Sequence, residues 1–318
     1  MMTKEELHKQ LKELGLKKRM KILVHVSLSK IGYVDNGPDS LISVMKEIIS
    51  DDGIIVMPAY NSYGEYKPNL SIVNEIFKNQ CDTIRTNHVI ASFAVWGNEK
   101  EKIGVNIEYT EEGLSFEAGE RSPLAKLYDN NGWSLMIGTD YSTCTILHLA
   151  ENRANWPSKV IFTEEYIFSD GKKIPFHDVA YEEADFNVIG NEFESIYKDD
   201  GSIFRFGKVG NAACRLINQR AFVDFAVDWM NKNRTQKNAI PQSVLEKRPG
   251  AELAIDPNTG KTLCAEDALM PYEFLDEIIW RIENKNQSYF GICETNYLWY
   301  PLWYISLYFI WSLQQIHT

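Results

Sequence analysis

Lys21-Ile22-Leu23-Val24-His25-Val26 and Ile54-Ile55-Val56-Met57-Pro58 are two short apolar runs, and the stretch between them has a different period. Pro38-Asp39-Ser40 starts that stretch, and Leu41, Val44, Met45, Ile48 and Ile49 then recur at helical spacing before the Asp51-Asp52-Gly53 turn. Continuous apolar runs of this length suit strands covered on both faces. Strand, helix, strand is the order of a parallel βαβ unit, whose strands need a crossover to lie side by side. Ser27-Leu28-Ser29-Lys30-Ile31-Gly32 reads as the loop leaving the first strand. Upstream, residues 3–16 have the pattern of a capped helix, with Thr3 at its start, Leu7, Leu11 and Leu14 on one face and Gly15 ending it. The fold class is α/β.

Residues 72–79, 99–105 and 122–128 read as helices, 90–97 and 133–138 as strands, and 61–70, 82–89 and 109–120 as loops. After Pro157, residues 159–168 and 172–179 alternate around Asp170-Gly171, the pattern of an antiparallel hairpin. Residues 186–197 are helical, 203–209 form a strand or turn, and 211–218 and 220–233 read as two more helices. From about Lys237 the character changes. Residues 239–260 are rich in proline, glycine and polar side chains, 266–282 are helical, and 297–313 are almost wholly apolar and aromatic, with Pro301 near the start. The expected organisation is therefore one domain over 1–236 and an aromatic-rich C-terminal extension over 237–318. The final apolar run is short for a membrane span, is broken by a proline and lacks a basic flank. A packed tail or partner-binding surface is the preferred reading, with a membrane-associated tail as the alternative.

Lysine and arginine number 33 against 44 aspartates and glutamates, a formal charge of −11. That balance argues against nucleic-acid binding, which needs a basic footprint. It is compatible with a cationic substrate and equally with plain acidic solubility. Cys81, Cys144, Cys214, Cys264 and Cys293 lie far apart, with no CxxC or CxxxH spacing. Neither a zinc site nor a disulfide framework is expected, which points to a reducing compartment. The first 21 residues are charged and lack an apolar signal core. A cytoplasmic protein without a bound metal is the expectation.

The chemistry concentrates in Thr143-Cys144-Thr145-Ile146-Leu147-His148-Leu149-Ala150-Glu151, just after the strand at 133–138. Thr143 or Thr145 is placed to cap a helix carrying His148 and Glu151, which at three residues apart share a face. A histidine presented at the mouth of a sheet can serve as a general base near neutral pH. It can equally be a core histidine bonded to backbone, and this stretch alone leaves both readings open.

Four ordered elements bear on that choice: His25 to Gly32, Met57-Pro58-Ala59-Tyr60, Arg85-Thr86-Asn87-His88 with Ser92-Phe93, and Gly119-Glu120-Arg121-Ser122-Pro123-Leu124 leading into the His148 stretch. With Val209-Gly210-Asn211-Ala212 and Val223-Asp224-Phe225-Ala226-Val227-Asp228-Trp229-Met230, this set resembles the aminoglycoside 3-N-acetyltransferase family, antibiotic N-acetyltransferases unrelated to the GNAT fold. The resemblance covers about residues 4–234 and does not extend to the tail. It implies a central mixed sheet flanked by helices, and acetyl transfer from acetyl-CoA to the 3-amino group of the deoxystreptamine ring of a cationic aminoglycoside. The family motif Thr-Ser-x-His-x-Ala-Glu makes His148 the base, with Glu151 on the same turn. By position, Glu183 and Asp185 match the acidic segment that supplies a carboxylate to the histidine or the substrate. Val26, Ser27, Leu28, Ser29 and Thr145 match contacts to the pantetheine arm, and Arg85 and His88 the segment near the phosphates. Tyr60, Glu120 and Glu183 are the expected substrate contacts. Three departures stand out. Val26-Ser27 replaces two serines, His88-Val89 replaces His-Pro, and Cys144-Thr145-Ile146 replaces Asn-Thr-Ser.

The chemistry agrees with this resemblance. An ammonium is not a nucleophile, so forming an amide from a thioester needs a base. A neutral histidine suits the task, a carboxylate on its far nitrogen would orient it, and backbone N–H groups of 27–32 are candidates for the thioester oxygen. Glu111, Glu112, Glu117 and Glu182 add to a surface that either binds a polyamine or is simply solvated. His25 reads as structural, His88 as a phosphate contact or a surface residue, and Cys144 as a thiol whose pKa a helix start would lower. Oligomerisation is possible. Two rival functions are acyl transfer to another amino sugar, such as a surface-glycan precursor, and non-catalytic binding through the aromatic tail.

Overall fold

The computed structural model describes residues 2–60, 70–86, 88, 91–104, 118–156, 159, 161–167, 173–179 and 185–234, with the backbone alone for 161–167 and 173–178. The expectations for 61–69, for 105–117 with Glu111, Glu112 and Glu117, for Glu182 and Glu183, and for the extension from 237 lie outside the described residues.

The described chain runs α1 (Lys4–Leu14), β1 (Lys21–Val26), α2 (Leu28–Ile31), α3 (Gly37–Ile49), β2 (Ile54–Pro58), α4 (Ile72–Lys78), β3 (Ile84–Arg85), β4 (Phe93–Trp96), α5 (Lys100–Ile103), α6 (Pro123–Asp129), β5 (Trp133–Ile137), α7 (Ile146–Arg153), β6 (Ile161–Ile167), β7 (Lys173–Val179), α8 (Phe186–Tyr197), β8 (Phe204–Val209), β9 (Ala212–Asn218) and α9 (Gln219–Asn233). Seven strands form one sheet in the order β3-β4-β2-β1-β5-β9-β8, and β6 and β7 pair separately. β1 is parallel to both β2 and β5, whereas the β2–β4, β3–β4, β5–β9 and β8–β9 pairs are antiparallel. The sheet is therefore mixed, with a parallel centre between antiparallel flanks. The βαβ unit read from the two apolar runs is β1-α3-β2.

Alternation along the strands sets the faces. Ile22, Val24 and Val26 of β1, with Leu135 and Ile137 of β5, join the core that holds Leu7, Leu11 and Leu14 of α1 and Leu41, Val44, Met45, Ile48 and Ile49 of α3. Leu23, His25, Ser134 and Met136, one residue out of step, therefore face the other way, the side on which Gln219 of α9 donates to the Ser134 hydroxyl at 3.2 Å. A capping box fixes the start of α1: the Thr3 hydroxyl accepts from the Glu6 amide while the Glu6 carboxylate accepts from Thr3 N–H.

In secondary structure, the described residues depart from the sequence reading at three places. Residues 212–218 form β9, not a helix. Ala212, Cys214 and Leu216 enter the core, and Arg215 points to the other face, where it donates to Glu194 of α8 at 2.8 Å. Pairing with β5 on one side and β8 on the other overrides the weak strand propensity of two alanines. Residues 28–31 form the short helix α2, not a loop. Within the expected loop at 82–89, Ile84 and Arg85 pair with β4. Among the described residues, no helix is long and apolar enough to cross a membrane.

An aromatic cluster seats α8. Phe193 is fully buried, with its ring centroid 4.7 Å from Phe222 and 5.5 Å from Phe225 of α9. Gly190 lets α8 approach closely, because a Cβ there would lie 2.0 Å from the Tyr141 ring. Phe193→Ala is expected to lower unfolding free energy by about 3–5 kcal/mol, measured by urea denaturation. A loss under 1 kcal/mol would show that the cluster does not hold α8 in place.

Candidate active site

Because β2, β1 and β5 are parallel, their carboxyl ends lie along one edge of the sheet. The chain leaves that edge at Ala59-Tyr60, at Ser27 and at Gly138. The crossover from β1 runs to β2 on one side, while β5 lies on the other. The carboxyl ends of β1 and β5 thus meet at a topological switch point, where open α/β sheets place ligands. The backbone is tightly held there. The Ser27 amide donates to the Ile137 carbonyl at 2.9 Å, and Gly138 turns with φ 67°. A Cβ at Gly138 would sit 2.6 Å from the Lys30 Cβ, so this turn requires glycine.

From Gly138 the chain passes through a 3-10 turn at Tyr141–Thr143 into α7. Neither candidate threonine caps α7 with its side chain. Asp140 accepts from the Ser142 amide at the turn, and Thr145 occupies the N-cap position of α7 with no side-chain capping bond. The Thr145 amide instead donates to His25 Nε2, at a long 3.4 Å. His25 thus reaches from the end of β1 to an otherwise orphaned helix N–H, in line with its structural reading. Burial pushes the His25 pKa down to about 4, and the nearby His148 adds to the shift.

His148 and Glu151 are both buried on α7. His148 Nδ1 lies 2.8 Å from Glu151 Oε2, and the imidazole packs against the Phe186 ring at 5.2 Å between centroids. Glu151 continues the chain of contacts. Its Oε1 accepts from Arg234 Nη1 at 2.8 Å, and Arg234 also grips both oxygens of Asp185, at 2.8 Å from Nε and 2.7 Å from Nη2. Asp185 stands at the N-cap of α8 but makes no side-chain cap bond there, because its carboxylate is turned to Arg234. Burial raises the Asp185 pKa, and the Arg234 charge offsets this only in part. Burial also works against the Arg234 charge, but Glu151 and Asp185 outweigh it and the pKa rises. The guanidinium lies 4.5 Å from the Trp156 ring, and Lys159 Nζ sits 5.5 Å from the same ring.

Sequence reasoning missed Arg234 and Trp156. Arg234 ends the polar run Asn231-Lys232-Asn233-Arg234, where nothing local separates it from a solvated lysine. Other expected site residues have varied positions. Ser27 and Ser29 follow the carboxyl end of β1, with hydroxyls 3.3 Å apart, and Val26 and Leu28 flank Ser27. Arg85 is folded onto its own sheet edge, where it donates to the Ser92 hydroxyl at 3.0 Å and to the carbonyls of Ala59 and Tyr60. His88 is buried, not a surface loop residue, and its Nδ1 accepts from the Ala91 amide at 2.9 Å. Glu120 makes a two-point ion pair with Arg153 at 2.7 and 2.9 Å, and Arg153, ahead of the other contributions, holds its pKa down. Glu183 lies outside the described residues. The Cys144 expectation is reversed: burial pushes its thiol up to about 12, so it is no ready nucleophile. Among the described residues, no group of three histidine, cysteine, aspartate or glutamate side chains is arranged to hold a metal.

Comparison with known proteins bears on this site. The model of the aminoglycoside 3-N-acetyltransferase family matches residues 23–231. The chain belongs to that family. It is 33% identical over 264 residues to the SPbeta prophage-derived aminoglycoside N(3')-acetyltransferase-like protein YokD of Bacillus subtilis (strain 168), covering 73% of this chain and 93% of YokD. It is 28% identical to aminoglycoside N(3)-acetyltransferase VII of Streptomyces paromomycinus, covering 72% and 92%. The crystal structure of YokD superposes with a TM-score of 0.63 at 30% identity, over 73% of this chain and all of YokD. AAC-IIIb, solved as a binary complex with CoASH, shares the fold at 24% identity and a TM-score of 0.60, over 72% of this chain and 96% of its own. This aminoglycoside 3-N-acetyltransferase family member is an acyltransferase.

The depressed His25 pKa has a consequence for stability. Between pH 4 and 6.5 the unfolded chain binds a proton at His25 that the folded chain does not. The stability contributed by neutral His25 is present above pH 6.5 and is lost as pH falls toward 4. His25→Gln is expected to reduce the slope of unfolding free energy against pH in that window by up to about 1.4 kcal/mol per pH unit. Urea titrations at a series of pH values measure it, and an unchanged slope would refute the assignment.

Proposed function

We propose that this family member transfers the acetyl group of acetyl-CoA to an amino group of an aminoglycoside, at the 3-N position, with His148 as general base. The observation that carries the reading is the 2.8 Å contact between His148 Nδ1 and the Glu151 carboxylate, near the carboxyl edge of the parallel strands. With its Nδ1 proton committed to Glu151, neutral His148 carries its lone pair on Nε2. As the amine attacks the thioester carbonyl, the new N–C bond forms, the carbonyl pair moves to oxygen, and the amine proton passes to Nε2. Glu151 stabilises the resulting imidazolium. Collapse breaks the C–S bond, and His148 returns the proton to the departing thiolate. Amide and free thiol are the products, with no covalent enzyme intermediate.

Val26, Ser27, Leu28, Ser29 and Thr145 are proposed to line the pantetheine path, since they gather where β1 ends and α7 begins. The amides of Leu28 and Ser29, in the first turn of α2, have no intrahelical acceptor. They are the proposed donors to the thioester oxygen as charge develops there. Tyr60, after β2 on the same edge, is the proposed contact for the acceptor. Glu120 and Arg85 act, in this reading, through the elements they brace, because each is already bonded within the protein.

His148→Ala is expected to lower kcat/KM by roughly 10²- to 10⁴-fold. Thiol release from acetyl-CoA, measured across aminoglycosides and simple amino sugars, checks this. Wild-type-like turnover in the variant would remove His148 from the base role. Preference for simple amino sugars would move the acceptor class to surface-glycan precursors. Silence of the wild type across the whole set would overturn the proposed reaction.

A further inference from the structure

Arg234 is among the largest fully buried side chains of the described chain, and it joins three elements. It ends α9, Glu151 is on α7, and Asp185 precedes α8. We propose that Arg234 is a positioning residue for the reaction, whose single charge holds Glu151 against His148 and lets Glu151 and Asp185 stand ionised side by side. The inference rests on the reading of His148 as base.

A buried ion cluster is, at best, about neutral for stability compared with well-packed apolar side chains. Stability alone is therefore a weak reason for one here, whereas its end on the imidazole is a functional one. In the active form His148 is neutral, Glu151 and Asp185 are negative and Arg234 is positive, so these four groups sum to −1. Protonating His148 brings the sum to zero, which favours the imidazolium that catalysis creates. Without Arg234 the remaining three groups would sum to −2. The cluster would then hold a proton to higher pH, whether on the imidazole or on a carboxylate. Among the described charges, Lys159 acts on Glu151 and Arg234, and His25 acts on His148. Neither bridges the two carboxylates.

The test is the pH profile of kcat, with the His148 ring followed in parallel by NMR titration. Arg234→Met is expected to move the acid limb up by about one pH unit or more. It should lower kcat roughly 10- to 100-fold while each KM changes less than about three-fold, a part of what a positioned base supplies. Adding Asp185→Asn to that variant removes the excess negative charge and should return the limb toward wild type. If Arg234→Met does not fold, Asp185→Asn alone decides the matter, because it should move the limb down. A merely structural role would lower amplitude without moving either limb. Unshifted limbs in both variants, with His148→Ala inactive, overturn this inference alone. Retained turnover in His148→Ala overturns the base reading beneath it.

Discussion

A guanidinium buried between two carboxylates is the contact on which this site depends. Arg234 meets Glu151 and Asp185 where its side chain is only 1% exposed, and Glu151 is fully buried. None of the three charges would be tolerated alone in that position, because an unpaired buried charge costs several kcal/mol. Each carboxylate therefore requires the guanidinium, and the guanidinium requires them. Since they come from α7, from the start of α8 and from the end of α9, their pairing constrains how those helices dock.

The sheet determines where this cluster sits. A period of two sends Ile22, Val24 and Val26 of β1 to one face and Leu23 and His25 to the other. His25 therefore meets α7 and accepts the Thr145 amide. The antiparallel run of β9 beside β5 delivers the chain to Asn218, whose side chain caps α9 by accepting from Ala221 N–H at 3.1 Å. Fifteen residues of α9 then carry the backbone from that strand to Arg234. A misplaced β9 would shift Arg234 away from Glu151.

Much of this was legible from the residues. The two apolar runs around a helical stretch yield β1-α3-β2, and the Thr3 cap, the hairpin at β6–β7 and the span of α8 follow from local pattern. His148 and Glu151 are legible because both lie on one turn of one helix. What failed was whatever depends on burial and packing, which a local pattern does not carry. Ala212 to Asn218 has no strong propensity of its own and becomes a strand because β5 and β8 lie on either side. Cys144 stands before a helix, where a thiol pKa is ordinarily lowered, but burial wins. His88 looks exposed in a polar loop, and its ring is instead turned inward to a backbone amide.

The sequence by itself determined the alternation of strand and helix and put His148 and Glu151 on one helix face, because these rest on short spacings that a local conformation realises, and the family showed in the order of its motifs along the chain. Which carboxylate meets His148 was left open by the residues and was decided by the fold, which places Glu151 there. Only the tertiary structure decided which charge accompanies that pair. Arg234 is 83 residues from Glu151 and 49 from Asp185 in the chain. No local pattern links them, and it is the shared cost of burying their charges that brings them together.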